Sequence, residues 1–530
     1  MVSSLRIDQA RPSGPAPRRS EDPALDVLII GSGWGAAMAA HELVAAGLRV
    51  RIVERGDWVA RGPRSWERDA TLELHPAAGR DAARHRDEPV LTVQCVGGAS
   101  VFAGGAALRF RERDFAPEDE LVAGSGARWP LGYAELEPWY ARAEMLLGVS
   151  GRAGEDPCEP SRSAPFPQAA SAWSPVAERM AAAAGRVGHR CFPLPLALPF
   201  VASPGRPVCA RCTRCDTFAC AVGAKRDAAS AVLGPLLERG LEVRTGVAAV
   251  ELAREGRAVV GAVCRDEATG TVELVRARHV VLGAGALASP ALLQRSGLDA
   301  LNPAGDAVGR YLTRHCNAIV MGIFARPLAA HETFHKQLAI HDLYEQAGGL
   351  QQVGAPPEGL LRHHAPAALR WSAAPLRRRA AGWLAIAEDQ PRADNRVQLD
   401  RRATRAGRPP RAIVRHRYAP RDLARRERLV GRVRAILRAA GAVHVAVRPV
   451  ETFSHALGTV RMGDDPRSAP LDGDCRFRGV ENLHVIDGSC LPTSAAVNPS
   501  LTIAAIALRA GARLANQLTS SQAQAHALAV

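Results

Sequence analysis

The strongest constraint on the fold lies between residues 26 and 54. Asp26-Val-Leu-Ile-Ile30 is a short apolar run, largely β-branched, and reads as a buried strand. Gly31-Ser32-Gly33-Trp-Gly35-Ala36 follows, then a stretch to Ala46 rich in helix formers and closed by Gly47. Arg49–Val53 is a second strand and ends in Glu54, 23 residues after Gly31. This is a βαβ unit with a G-x-G-x-x-A turn. Gly31 permits the tight turn, Gly33 lets the backbone approach a pyrophosphate, and Ala36 is small enough for helix–strand packing. The helix N-terminus favours phosphate charge, and Glu54 can accept a hydrogen bond from a ribose hydroxyl.

The rest of the chain reads as pieces of that unit with insertions between them. Residues 111–205 are rich in Pro, Trp and acids with little strand alternation. Strands return at Leu241–Arg244, Ala248–Leu252, Val259–Val263 and Ala277–Leu282, the last running into Gly283-Ala-Gly285. Residues 311–450 read as a second α+β region. Within it Pro420–Ala440 forms a basic amphipathic helix with Leu423, Val430, Val433 and Leu437 on its apolar face.

A second dense region lies near the C-terminus. Ser454-His-Ala-Leu-Gly-Thr-Val-Arg-Met-Gly463 places His455 in a Gly-flanked loop. Asn482-Leu-His-Val-Ile-Asp487-Gly488-Ser489 is a strand ending in an acid and a glycine. Asn498 then stands just before a helix whose first turn contains Pro499 and which runs to Leu514. A helix start beside Asn and small residues can receive a polar ring edge or an oxyanion.

These motifs together resemble the glucose–methanol–choline (GMC) oxidoreductases, over residues 24 to 517. Besides the first turn and Glu54, Gly97-Gly98-Ala-Ser100-Val-Phe-Ala-Gly-Gly105 is similar to the family's flavin-contacting glycine loop. Trp129-Pro-Leu-Gly-Tyr133 through Glu137-Pro-Trp-Tyr140, and Gly283–Pro290 with Ser296-Gly297, resemble two further family segments. The His455-x-x-Gly-Thr and Val497-Asn-Pro segments match best. The chain departs from the family at Asp299, where a glycine is usual, and at Ala103, where many relatives carry Asn.

The resemblance implies an α/β fold, with a discontinuous Rossmann-like FAD-binding domain (22–110, 206–310, 451–520) and an α+β substrate-binding domain (111–205, 311–450). A flexible extension (1–21) and a flexible tail (521–530) flank them. It implies FAD held by Gly31, Ser32, Gly33, Gly35, Ala36, Glu54, Gly97, Gly98, Ser100, Val247, Gly285, Asp487, Gly488, Pro499, Leu501 and Thr502. No His stands in Gly97–Gly105, so FAD is expected to be non-covalent there. The implied reaction oxidises a CH–OH group, with hydride passing to flavin N5, His455 as base and Asn498 orienting the substrate oxygen. Histidine suits that task because its ordinary pKa lies near neutrality. The expected substrate is a small alcohol: a sugar, glycoside or aminocyclitol, in preference to an aliphatic alcohol or sterol, because 311–450 is polar and Arg-rich. Oxygen and another carrier are both compatible as electron acceptor. A lyase or isomerase on the same fold without net redox, or a non-catalytic FAD-binding protein, are the alternatives.

Cys209, Cys212, Cys215 and Cys220 crowd one segment that ends in Gly223-Ala-Lys225. By spacing alone C-x2-C-x2-C-x4-C suggests an iron–sulfur or zinc site, but the preferred expectation is structural thiols or disulfides. Composition excludes other classes. The 530 residues carry 68 basic and 53 acidic side chains, a formal charge of +15, which points towards nucleic acid. Yet Lys225 and Lys336 are the only lysines and aromatics make up only 5%, so the surplus is Arg-rich composition without a stacking platform. No apolar run of about 18 residues occurs, hence no membrane span is expected. The first 24 residues lack an apolar core for a leader, so a cytoplasmic location is expected.

Overall fold

The computed structural model describes residues 18–19, 25–66, 77–81, 88–202, 207–328, 334, 336–355, 358, 361–362, 366–400 and 412–529. Two hydrophobic cores organise them. The first surrounds a sheet in the order Val247–Glu255, Ala258–Asp266, Val272–Leu282, Leu25–Ile30, Val50–Val53, Glu242–Arg244. Its pivot is Val272–Leu282. The first half of that strand pairs antiparallel with Ala258–Asp266, and the second half runs parallel to both Leu25–Ile30 and Leu483–Val485. Leu25–Ile30 is buried at every position, as expected of a parallel strand covered on both faces. Helices Trp34–Ala45 and Ser500–Ala529 pack on each other over this sheet.

The second core lies between a sheet ordered Ala442–Pro449, Ala318–Phe324, Ala380–Ile386, Gly349–Val353, Leu338–Ile340, Phe192–Pro193 and the helices Pro175–Arg186 and Pro420–Ala439. Pro420–Ala439 buries Leu429, Val430, Val433, Ile436 and Leu437. Leu423 departs from the sequence expectation: it is 38% exposed, and Asp422 is buried in the first turn instead, accepting the Ala419 N–H at 2.8 Å.

Three further features join or extend these two regions. Trp129–Val149, assigned by sequence to the substrate region, packs into the first core through Trp129, Leu136, Tyr140 and Leu147. Tyr140 also meets Thr502 at 2.7 Å, and the Trp129 indole donates to Thr493 at 2.8 Å. A small sheet joins Ala77–Asp81 and Glu88–Leu91 to Arg396–Leu399 and Ala412–Arg415, so the two regions share strands. The final helix continues to Ala529, so most of the tail expected to be flexible is helical. The 1–21 extension lies outside the described residues except for Arg18–Arg19, which pair with Glu273 and Leu274. Among the described residues no helix is long and apolar enough to cross a membrane.

Candidate active site

The turn after the first strand builds a cradle from backbone. A Cβ on Gly35 would overlap the Ile486 carbonyl, so this position fixes how helix Trp34–Ala45 crosses the segment before Asp487. Gly33 is different: a Cβ there would find its nearest atom 4.0 Å away, leaving room for a ligand. The helix starts at Trp34 with no side-chain cap and no acid in its first turn. Its first N–H groups are therefore available to an anion such as a pyrophosphate, which fits FAD. Ala36 is fully buried against Gly283. Gly98 of the second glycine loop faces Gly33, and a Cβ on Gly98 would lie 3.4 Å from the Gly33 Cα.

The polar groups expected at the cofactor are largely engaged with the protein. Ser32 Oγ donates to Glu54 Oε2 at 2.6 Å and accepts the Gly97 N–H at 3.0 Å, joining the two glycine loops. Glu54 Oε1 accepts the Gly56 N–H at 3.0 Å, and its carbonyl accepts the Val247 N–H at 3.0 Å. Burial pushes the Glu54 carboxyl above the usual range. Each of its oxygens still has capacity for a second donor, as a ribose contact requires. Ser100 Oγ donates to the Gly97 carbonyl at 2.6 Å and accepts the Ala228 N–H at 3.0 Å. Asp487 accepts from the Gly285 N–H (2.8 Å), Ser289 Oγ (2.6 Å) and the Ser489 N–H (2.7 Å), clamping two segments together. The Gly488 carbonyl accepts the Gly458 N–H at 3.1 Å and so carries the His455 loop. Pro499 precedes the last helix rather than lying inside it; its carbonyl accepts the Ile503 N–H at 2.9 Å, and Leu501 is buried beside it.

His455 reaches the loop Thr493–Asn498 by way of His315, whose ring bonds the Ser494 carbonyl, and Asn498 ends that loop. His455 is half-buried, with its Nδ1 2.9 Å from Nδ1 of His315. The other nitrogen of His315 donates to the Ser494 carbonyl at 2.9 Å. Burial first, then the nearby His315 and Lys336, push the His455 pKa down to about 3, so its ring is uncharged at neutral pH. Asn498 is half-buried, and its Oδ1 accepts from Gln351 Nε2 at 2.5 Å. That contact leaves the Asn498 amide N–H groups as donors.

Two acids contact the loop, Glu388 half-buried and Asp389 fully buried. Glu388 accepts the Ala495 N–H at 2.8 Å, and burial, with Asp114 nearby, raises its pKa to about 8. Asp389 accepts from the His315 N–H (2.9 Å), the Arg314 N–H (3.0 Å) and Ser494 Oγ (3.1 Å), and contacts His416 Nε2 at 3.0 Å. Burial pushes the Asp389 carboxyl up, but the His416 bond and the surrounding donors outweigh it and hold it below the usual range.

The cysteine segment braces this site. Thr217 N–H donates to the Phe102 carbonyl at 2.9 Å, and Asp216 lies against Gly104 of the glycine loop. Lys225, fully buried, donates to the Cys215 and Phe218 carbonyls at 2.8 and 2.7 Å. Lys336 pairs with Asp216 at 2.5 Å. Cys209, Cys212, Cys215 and Cys220 are free thiols, and no group of three or more His, Cys, Asp or Glu among the described residues is arranged to hold a metal. Burial pushes the Cys209 thiol up to about 11 and that of Cys215 higher still.

Sequence reasoning missed His315, Asp389, Gln351, Lys336 and Asp216. One signal was available: in a chain otherwise free of lysine, both lysines bind this segment. His315 carried none, because its left-handed backbone (φ +62°) and its partners are visible only in three dimensions.

Comparison with known proteins points the same way. Two GMC oxidoreductase family profiles match residues 194–317 and 391–507, and an FAD binding domain profile matches 24–93. The chain is 34% identical to a paromamine 6'-oxidase of Streptomyces fradiae, over 96% of this chain and 95% of that one. It is also 34% identical to a 6'''-hydroxyparomomycin C oxidase of Streptomyces lividus, over 97% and 96%. A 2-methyl-1,2-propanediol dehydrogenase of Mycolicibacterium austroafricanum is 27% identical over 92% and 94%. Among solved structures, a pyridoxine 4-oxidase superposes with a TM-score of 0.66 at 20% identity, covering 93% of this chain and 99% of that one.

Proposed function

This chain belongs to the GMC oxidoreductase family and is an FAD-dependent oxidoreductase of CH–OH groups, and we propose that its substrate is an amino-sugar glycoside or aminocyclitol alcohol. The observation that carries the chemistry is a half-buried His455 kept uncharged and tied through His315 to the loop that ends in Asn498, whose Oδ1 is already occupied. FAD, when bound, supplies the two-electron acceptor for the carbinol hydride. The chain's own residues handle the proton and the oxygen. His455 takes the hydroxyl proton through Nε2, the nitrogen not facing His315. Asn498 donates an amide N–H to the substrate oxygen without competing for that proton. Gln351 holds the amide in this orientation.

Two features support the substrate class. The two relatives at 34% identity carry names of paromamine and paromomycin-type oxidases. Asp216 offers a carboxylate beside Lys336, the cation whose charge reaches His455: its Oδ1 is held by Lys336, and the side chain is 41% exposed. A carboxylate at that edge suits the ammonium group of an amino sugar.

The test is anaerobic flavin bleaching with amino-sugar glycosides, neutral sugars and aliphatic alcohols. Amino-sugar glycosides are expected to bleach fastest, and His455→Ala should bind FAD yet lose bleaching about 10²–10⁴-fold. Equal bleaching by aliphatic alcohols would overturn the substrate class. Full-speed bleaching by His455→Ala would overturn the base.

A further inference from the structure

His315 is buried and bonded at every polar position. Its N–H donates to Asp389, its carbonyl accepts from the Tyr418 hydroxyl at 2.8 Å, and both ring nitrogens have partners. Its backbone is left-handed at φ +62°, a conformation that non-glycine residues keep only when the surroundings over-determine it. Its ring stands nearly perpendicular to that of His455, at 86°. A side chain so fixed, contacting the base directly, sets the proton positions of the pair.

The assignment follows step by step. The Ser494 carbonyl only accepts, so His315 Nε2 carries a hydrogen. His315 is kept neutral, since burial depresses its pKa and Asp389 only partly offsets that. A neutral imidazole carries one ring proton, so His315 Nδ1 is an acceptor. His455 Nδ1, 2.9 Å away, must then donate. His455 is also neutral, which leaves its Nε2 unprotonated.

We propose that His315 is a positioning residue that holds His455 in the Nδ1–H tautomer and thereby presents Nε2 as the proton acceptor. This rests on His455 being the base. When Nε2 takes the substrate hydroxyl proton, the O–H bond breaks, the carbinol hydride leaves for FAD, and His455 becomes an imidazolium. Its Nδ1–H remains donated to His315, while the buried Asp389, bonded to the His315 N–H, supplies a negative charge behind it. The other groups facing the pair are Lys336 towards His455, and Tyr418, Arg314 and His416 around His315 and Asp389.

Two near-isosteric substitutions separate positioning from filling space. In His315→Asn the amide oxygen overlays Nδ1, can accept from His455, and tolerates the left-handed backbone. In His315→Gln the amide overlays Nε2, so it can bond the Ser494 carbonyl but leaves His455 without its acceptor. Both should retain FAD and substrate dissociation constants within about threefold. Anaerobic flavin reduction should fall about 10²–10³-fold in His315→Gln and less than about tenfold in His315→Asn, with the acidic limb of the pH–rate profile shifted only in the Gln variant. A ¹⁵N spectrum of histidine-labelled protein, assigned with His455→Ala, should show an unprotonated Nε2 in the wild type and mixed tautomers in His315→Gln. Equal losses in both variants, or a protonated Nε2 in the wild type, would sink the proposal while leaving the base intact. Unimpaired reduction by His455→Ala would sink the base itself, and the spectrum would still report the tautomer.

Discussion

The proposed cofactor cradle and the proposed proton-handling corner are built by opposite means. The cradle is made of backbone: bare Gly33, an uncapped helix start, and glycine loops stitched by Ser32. The corner is made of side chains held by other side chains, with Asp389 bonding His315 and Ser494, and His315 bonding His455. A backbone site is damaged by adding atoms, whereas a side-chain site is damaged by removing or exchanging them.

The largest effect should come from adding one methyl to the cradle. Gly35→Ala overlaps the Ile486 carbonyl, and the segment before Asp487 cannot yield without moving the strand it ends. We expect a loss of about 3 kcal/mol or more and little soluble FAD-loaded protein. Gly33→Ala has open space and should fold normally, with a Tm close to wild type, while binding FAD at least about tenfold more weakly. Equal behaviour of the two variants, by FAD absorbance and thermal unfolding, would remove the distinction between a packing glycine and a ligand glycine.

In the corner, Asn498→Ala removes the proposed donor to the substrate oxygen and leaves Gln351 Nε2 without its acceptor. Flavin reduction should slow about 10–100-fold with FAD affinity unchanged, as the loss of one hydrogen bond in a buried setting implies. A change in FAD affinity instead of rate would place Asn498 with the cradle. At the outer edge, Asp216→Asn should raise KM for amino-sugar glycosides about 3–10-fold and leave neutral sugars within about twofold. Parallel changes for both substrate sets would show that Asp216 only braces Lys336.

The same contrast explains what the sequence disclosed. The cradle was legible because its requirement is local: glycines at fixed spacing between a strand and a helix, repeated at Gly97–Gly98 and Gly283–Gly285. His455 and Asn498 were singled out through the family motifs around them, and their catalytic roles are part of the proposal. His315, Asp389 and Gln351 were not, because each comes from a separate segment and meets the loop only after two sheets have folded. The exposure of Leu423 has a related cause. Helical periodicity locates an apolar stripe but cannot tell that the first turn overhangs the sheet, where Asp422 caps it instead. Likewise Tyr133–Leu147 carries helix signals without saying which core it joins.

Acid should act on the molecule chiefly through its buried histidines, in the corner and beneath the cradle alike. His484, on the strand beneath the cradle, is 5% exposed, and its Nδ1 has no hydrogen-bond partner. Burial, with His279 and Arg476 nearby, pushes its pKa down to about 3, while in the unfolded chain it titrates near 6.5. Below pH 6.5 the unfolded chain therefore binds a proton that the folded chain refuses. Stability is complete above that pH and is lost progressively as pH falls from 6.5 towards 3. At pH 5 the penalty reaches at most about 2 kcal/mol, or about 2 °C in the Tm of a chain this long. His484→Leu should leave the Tm at pH 7.5 within about a degree and flatten its decline between pH 6.5 and 5 by that amount. An unchanged slope would mean that the acid sensitivity resides elsewhere, with His455 and His315 next in line because their pKa values are depressed in the same direction.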